Sequence, residues 1–331
     1  MARTLDEAAL LRLIDALAPG DWVSGAVLAQ ASGISREALS KRMRHLGDWQ
    51  LEIESRPGLG YRLAHPLQRL DAAAILAELP PQWRQDLDLR VLPRTDSTNT
   101  QLLNSPAGHD PQALLAESQT AGRGRRGRVW RSPFGANLYL SVAWSFPAWP
   151  PQLSTLSLAA GVCCARALRR VGLDGVALKW PNDLWLNRAK LGGILIEQRG
   201  EAGGTCRVVI GLGLNVTMSE SQAGVLDQAW TTVEESLRAV ARPAPARTIL
   251  AAVLLEALLS GLEQFAVNGF ASFASEWSAL DLTRGCEVNV TGVNRELVGT
   301  ARGVDVDGAL LVENAQGIHA VHAGDVSLRL I

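Results

Sequence analysis

Residues 122–128 read Gly-Arg-Gly-Arg-Arg-Gly-Arg, which matches the letters G-x-G-x-x-G but cannot build the fold those letters usually serve. A dinucleotide-binding loop needs its glycines to open a long helix whose N-terminus receives the phosphates. Here Val129-Trp130-Arg131-Ser132-Pro133-Phe134-Gly135 follow, and then a strand pattern at 137–144. Pro133 and Gly135 exclude an immediate long helix. Arginines at 123, 125, 126, 128 and 131 give a cationic density that backbone-based phosphate loops do not need. Guanidinium groups so spaced offer fork-shaped donors to a carboxylate and a phosphate together. Taken alone, the segment reads equally well as a solvated basic turn with RNA as a partner.

The flanking pattern predicts an α+β chain. Strand candidates at 113–117, 137–144, 176–180, 184–186, 193–197 and 208–211 mix with helix candidates at 98–104, 156–171 and 247–265. Their hairpin-like spacing argues for a mixed sheet, not a doubly wound one. Upstream, Leu10, Leu13, Ile14 and Leu17 recur at helical spacing until Pro19-Gly20. Ser24 and Ser35 can cap two further helices, and Leu39, Met43 and Leu46 mark the buried face of the last. Strand candidates 51–54 and 61–63, joined by Arg56-Pro57-Gly58-Leu59-Gly60, complete a winged helix-turn-helix pattern over residues 1–65. A second region, 66–282, holds the mixed elements. The last region, 283–331, holds only short strand candidates, with Asp307-Gly308 as a hairpin turn, which predicts a small closed barrel.

The net charge of −1 gives no global attraction to nucleic acid, so any polyanion site must come from local clustering. The third helix supplies such a cluster. Ser35, Arg36, Lys41, Arg42 and Arg44 stand against Glu37, and the wing adds Arg56. This face is predicted to contact DNA; the alternative is a charged face serving solubility. The cysteines, 163, 164, 206 and 286, form no C-x-x-C pair, which predicts buried thiols in a reducing compartment. The N-terminus lacks a signal-peptide pattern, and no uninterrupted run of 18 apolar residues occurs. The expectation is a cytoplasmic protein without a membrane segment.

Several short segments surround the arginine–glycine loop with polar chemistry. Asp96-Ser97-Thr98-Asn99 precedes a helix; its side chains can cap that helix or meet a small polar ligand. Glu117-Ser118-Gln119-Thr120 leads into the loop. Lys179-Trp180-Pro181-Asn182-Asp183 places a cation, an amide and a carboxylate at a strand end, where Asp183 can hold Mg²⁺. Lys190 precedes Gly192-Gly193, and Gly211-Leu212-Gly213-Leu214-Asn215 repeats the small-residue theme that lets a ligand approach the backbone. Residues 319 and 322, both His, lie three apart on a presumed strand and face opposite sides, so they are expected at the surface.

These segments, in this order, resemble those of biotin–protein ligases, and the preceding winged helix resembles the bifunctional members that also repress biotin-synthesis genes. The resemblance implies a central domain of the class II synthetase-like type and a C-terminal SH3-like barrel. It implies ATP-dependent formation of biotinyl-5′-adenylate and transfer of biotin to a lysine of a biotin carboxyl carrier protein. Ser97, Thr98, Asn99, Gln119, Arg123, Gly124, Arg125 and Lys190 would then surround biotin or its adenylate. Lys190, Arg125 and Asp183 would be the catalytic group, with Arg125 retaining the intermediate and Asp183 serving Mg²⁺. Arg126, Arg128, Trp130, Lys179, Asn182, Asn215 and Trp230 would form the nucleotide side. The resemblance also implies operator DNA binding through residues 1–65, a homodimer promoted by the adenylate, and ordering of a ligand loop around 213–227. Ordinary packing is the alternative role for Trp130, Trp180 and Trp230. Two other functions fit the same residues: a lipoate-type protein ligase, and a ligand-sensing DNA-binding regulator without ligase activity.

Overall fold

Two serines start consecutive helices in the same way. The chain opens with α1 (Glu7–Leu17), α2 (Gly25–Ala31) and α3 (Arg36–Asp48). Ser24 Oγ accepts from Val27 N at 3.3 Å and Ser35 Oγ from Ala38 N at 3.1 Å, each satisfying an otherwise orphaned donor of the first turn. Leu10, Leu13, Ile14, Leu17, Leu39, Met43 and Leu46 are buried together, as the periodicity predicts. The antiparallel hairpin β1 (Ile53–Arg56) and β2 (Gly60–Leu63) follows, with Arg56 opposite Gly60 and an added bridge from Val23 to Tyr61. The first strand starts two residues later than the pattern predicts, because Leu51 turns into the core. Phe134 also belongs to this core: it is 1% exposed and stacks on Trp49 with ring centroids 5.3 Å apart.

The computed structural model describes residues 7–106, 110–200, 204–224, 228–292, 296–324 and 326–331. Its contacts group Met1–Arg69 and Pro133–Gly135 into one unit, and Leu70–Ser132 and Ala136–Ile331 into another.

The second unit begins with α4 (Ala72–Glu78), α5 (Pro81–Asp86), β3 (Asp88–Thr95), α6 (Thr98–Asn104), β4 (Gln112–Gln119) and β5 (Asn137–Phe146). It continues with α7 (Leu156–Arg170), β6 (Ala177–Lys179), β7 (Asp183–Leu186), β8 (Ala189–Gly200) and β9 (Cys206–Asn215). The seven strands run in the order β3-β4-β5-β9-β8-β7-β6. Only β3 and β4 are parallel; the other pairings are antiparallel, so the sheet is mixed as expected. Then come α8 (Glu220–Ala223), α9 (Val233–Arg238), α10 (Arg247–Asn268) and α11 (Ala271–Leu280). Helix α10 is long and apolar enough to cross a bilayer by length and composition alone. Its leucines instead bury against α4, α7, α11 and β5, the habit of a core helix. Arg247 starts α10 and forms a buried ion pair with Glu117 on β4, NH2 to Oε2 2.8 Å, while NH1 donates to the Asn137 carbonyl of β5.

The C-terminal strands β10 (Glu287–Thr291), β11 (Glu296–Val304), β12 (Leu310–Asn314), β13 (Gly317–Val321) and β14 (Ser327–Leu330) form an antiparallel sheet ordered β13-β12-β11-β10-β14. Among the described residues no ladder joins the end strands β13 and β14. Val288, Val290, Ala301, Leu310 and Val312 share the main hydrophobic core, and Trp180 Nε1 donates to the Gly308 carbonyl at 3.0 Å. Trp180 is thus a packing residue with its N–H satisfied. His319 lies on β13, whereas His322 lies beyond the strand, so the two do not share it.

The main departures from the sequence pattern are β3, α5, α9 and α11, which carry weak periodicity, and the reach of β8 and β9. Glycines 192, 193, 211 and 213 interrupt the hydrophobic alternation in those strands, yet the ladder pairs straight through them. Lys190 therefore sits inside β8, opposite Trp185, and not ahead of it.

Candidate active site

One cleft of about 840 Å³ in the second unit collects most of the residues singled out in the sequence. Ser97, Thr98, Asn99, Gln119, Arg123, Gly124, Arg125, Arg126, Arg128, Trp130, Lys179, Asn182, Asp183, Lys190, Asn215 and Trp230 all line it. The size suits a ligand larger than a single vitamin-sized acid. Arg131, Arg188 and Arg329 add further cations, while Asp183 is the acidic side chain among the described lining residues. The cleft is accordingly built for a polyanion.

The arginine–glycine loop forms a closed turn. Trp130 N donates to Gly122 O at 2.9 Å and Gly124 N to Arg128 O at 2.7 Å. Arg126 and Gly127 take positive φ at its tip, 59° and 69°. Arg126, Gly127 and Arg128 are exposed, and both arginines line the cleft. Arg125 instead reaches the connection between β13 and β14, where its NH2 donates to the carbonyls of Ala323 and Gly324, the latter at 2.8 Å.

The floor is made of strand backbone. Gly211 and Gly213 lie on β9, where a Cβ would strike Asn99 and the Trp130 indole respectively. Glycine at 213 leaves room for the indole, and Lys190 Nζ is 5.6 Å from the Trp130 ring centroid. The Trp130 Nε1 is buried against Gly213 and has no hydrogen-bond partner among the described residues.

At one end, Ser97 caps α6, with Thr100 N 3.4 Å from its Oγ. Gln119 Oε1 accepts from Thr98 N at 2.9 Å and lies 3.1 Å from Thr98 Oγ1. Asn99 is buried, and its amide is taken up by protein: Nδ2 donates to Leu195 O at 3.2 Å and Glu197 Oε2 at 2.9 Å, and Oδ1 accepts from Ser141 Oγ at 2.6 Å. Glu197 also accepts from Arg123 NH2 at 2.9 and 3.1 Å. Sequence reasoning missed Glu197 and Ser141, since neither carries a local motif. Only strand pairing brings β5 and β8 beside α6.

At the other end, Lys190 Nζ pairs with Asp183 Oδ1 at 2.8 Å. Lys179 Nζ stands 4.6 Å from the Trp185 ring centroid. Burial holds the Lys179 ammonium below its usual range; Lys190, Arg128 and Arg329 add to that effect and Asp183 opposes it. Asn182 Nδ2 donates to Ile194 O at 2.6 Å. Asn215 Nδ2 donates to Thr231 O at 3.2 Å and Lys190 O at 3.4 Å. The segment after α8 is fastened along Lys190: Lys190 N donates to Ala229 O, and Thr231 N to Lys190 O. That holds Trp230 beside the cleft, packed on Ala136, Met218 and Ala223. Of the predicted ligand loop at 213–227, residues 225–227 lie outside the described ones. No cluster of three or more His, Cys, Asp or Glu side chains able to hold a metal occurs among the described residues.

A mixed sheet with a glycine-lined floor, a cationic loop and a lysine–aspartate pair defines a protein that brings a polyphosphate and a second small ligand together. The biotin/lipoate A/B protein ligase family matches residues 91–215, and the biotin protein ligase C-terminal domain matches residues 284–329. The bifunctional ligase/repressor BirA of Escherichia coli (strain K12) is 41% identical over 325 residues, with 98% of each chain covered. The biotin–[acetyl-CoA-carboxylase] ligase of Mycobacterium tuberculosis is 36% identical over 273 residues, 80% of this chain and 97% of that one. Among solved structures, the biotin protein ligase from Aquifex aeolicus in complex with biotin and ATP superposes with a TM-score of 0.61 at 27% identity, covering 74% of this chain and 99% of that one. The chain belongs to the biotin protein ligase family, and its likeness to the bifunctional ligase/repressors runs nearly end to end.

Proposed function

We propose that the chain activates biotin with MgATP to biotinyl-5′-adenylate, releases pyrophosphate, and transfers biotin to a lysine of a biotin carboxyl carrier protein. The observation that carries this reading is the cleft itself: one site holds both a polar pocket end and a cationic end, the latter carrying the Lys190–Asp183 pair. Thr98, Gln119 and the backbone at Arg123–Gly124 serve the head of biotin. Lys190 serves its carboxylate and then the acyl phosphate, and Trp130 screens the reacting atoms from water. Lys179, Arg126 and Arg128 serve the phosphates, with Asn182 and Asn215 fixing the strand ends beside them. Trp230 flanks the nucleotide side. Asp183 would hold the Mg²⁺ that accompanies ATP, and that ion would supply neutralisation of phosphate charge. The side chains do the rest by position and charge stabilisation, and no enzyme nucleophile is needed.

The N-terminal helices and hairpin are read as a winged helix-turn-helix that binds operator DNA, with Arg36, Lys41 and Arg44 exposed on α3 and Arg42 half-buried. The C-terminal sheet is read as a small SH3-like barrel open between its end strands, and residues 1–65, 66–282 and 283–331 as three functional regions. The adenylate would promote a homodimer on two half-sites, which is linkage between ligand and DNA. A cytoplasmic placement suits the thiols: burial pushes Cys163 up to about 12 and raises Cys164 as well, leaving both unreactive.

Incubation with ATP and Mg²⁺ plus biotin or lipoate tests the reading. Pyrophosphate release with biotin, a tightly held adenylate and labelling of a carrier domain are expected. Release with lipoate instead would move the chain to the lipoate branch of the family. No release with either acid, together with ligand-dependent DNA binding, would leave a regulator without ligase activity.

A further inference from the structure

Glu197 touches no part of the motifs that carry the proposed chemistry except at two points, and those two meet on its carboxylate. Oε2 accepts from Asn99 Nδ2 at 2.9 Å, and Arg123 NH2 donates to both oxygens at 2.9 and 3.1 Å. Arg123 lies in the arginine–glycine loop; Asn99 lies on α6 and lines the pocket. Glu197 is on β8, the strand that also carries Lys190.

We propose that Glu197 is a positioning residue that sets both the seat of the loop and the hydrogen-bonding sense of the pocket end; the proposal rests on the biotin ligase reading. A carboxylate only accepts. It therefore turns the Asn99 amide so that Nδ2 faces Glu197, which leaves Oδ1 facing Ser141 Oγ at 2.6 Å. The Ser141 hydrogen is then committed to Asn99. Ser141 Oγ also lies 2.7 Å from Thr98 Oγ1 and can then only accept there, so the Thr98 hydroxyl hydrogen turns to Ser141, and Gln119 Oε1 is held through Thr98 N at 2.9 Å. Each member fixes the donor or acceptor role of the next, up to the side chains that face the ligand. A ligand head with N–H donors and a carbonyl, such as a cyclic urea, needs those roles fixed; an apolar ring does not. The same carboxylate holds Arg123, so the loop is seated over an end whose polarity is already set. Preorganisation of this kind acts on ground-state binding of the acid more than on the later phosphate chemistry.

The test is Glu197→Gln, which keeps the length of the side chain but can donate as well as accept, with Arg123→Gln and the double variant. Thermal midpoint, KM for biotin and kcat for pyrophosphate release are measured on the full chain. The expected result is a rise of about tenfold in the biotin KM with kcat nearly unchanged. The double variant should be no worse than the poorer single one, because both act through one ion pair. A biotin KM within twofold of wild type, additive losses in the double variant, or a kcat loss that tracks a fall in thermal midpoint would each overturn the proposal. Wild-type protein inert toward biotin would instead sink the ligase reading. In that event the seating role is still read by limited proteolysis at residues 122–131: faster cleavage of Glu197→Gln supports it, and an unchanged rate refutes it.

Discussion

Lys190 Nζ lies 2.8 Å from Asp183 Oδ1, and the pair spans adjacent strands β8 and β7 with only 16% and 18% of the side chains exposed. A register irregularity between Leu184 and Trp185 offsets the strands at this point. The pair aims the ammonium along the cleft while Trp130 shields it from one side. Lys190→Ala should lower pyrophosphate release about 10²–10³-fold, the usual effect of removing a charge-stabilising donor from a dry site. Asp183→Asn keeps the cation and should cost less, with the effect concentrated in the response to Mg²⁺. Steady-state pyrophosphate assays check both. A Lys190→Ala enzyme of near wild-type rate would remove lysine from the proposed chemistry.

Lys179 gives a pH prediction. Its folded value lies below the usual lysine range, chiefly through burial. Between the folded and unfolded values the folded chain binds fewer protons than the unfolded one, so this group makes stability rise with pH through that window. Function moves the other way: as pH climbs through the lowered value, the cation facing the phosphates is neutralised and KM for ATP rises. Lys179→Arg, which stays charged, should shift that rise to higher pH, and Lys179→Met should raise KM for ATP across the range. Measurement of KM for ATP between about pH 7 and 10 decides it.

The two floor glycines should behave differently. At Gly211 a methyl group meets Asn99, which is buried and hydrogen-bonded through both ends of its amide. Gly211→Ala should destabilise by about 1–3 kcal/mol, the cost of overpacking, measured by urea unfolding. At Gly213 the methyl group meets Trp130, which sits at the end of a loop and can swing away. Gly213→Ala should leave stability nearly intact but raise KM for both substrates. Equal destabilisation of the two variants would contradict the assigned difference.

Arg125 ties the loop to the connection between β13 and β14 through the Ala323 and Gly324 carbonyls. Arg125→Gly should free the loop, speed its proteolysis, and let the adenylate escape to label proteins at random. Retention of the adenylate at the wild-type rate would refute that role.

On α3, Arg36, Lys41 and Arg44 are exposed, so their charges are open to a polyanion. Alanine at Lys41 or Arg44 should weaken binding to a duplex of random sequence. It should also flatten the slope of log affinity against log salt by about one for each phosphate no longer neutralised. An unchanged slope would return these charges to a solubility role.

Local sequence determined what local physics controls. The serine caps, the leucine spacing of α1 and α3, the Asp307-Gly308 turn and the α6 boundaries were all legible, because each depends on a few neighbouring residues. The arginine–glycine loop could be separated from a dinucleotide motif by Pro133 and Gly135 alone. Resemblance then assembled the polar segments into one expected site, and the cleft does bring them together. What the sequence could not assign were pairings between segments distant along the chain. Glu197 and Ser141 are ordinary strand residues until β5, β8 and α6 meet. Arg247 and Glu117 are 130 residues apart and become a buried ion pair only when α10 packs on the sheet. The glycines of β8 and β9 read as places for a ligand to approach the backbone; the ladder runs through them, and at Gly213 the space a Cβ would take is filled by Trp130. Hydrogen-bond partners, desolvation and close backbone approach are properties of places in space, so only the tertiary structure could decide them.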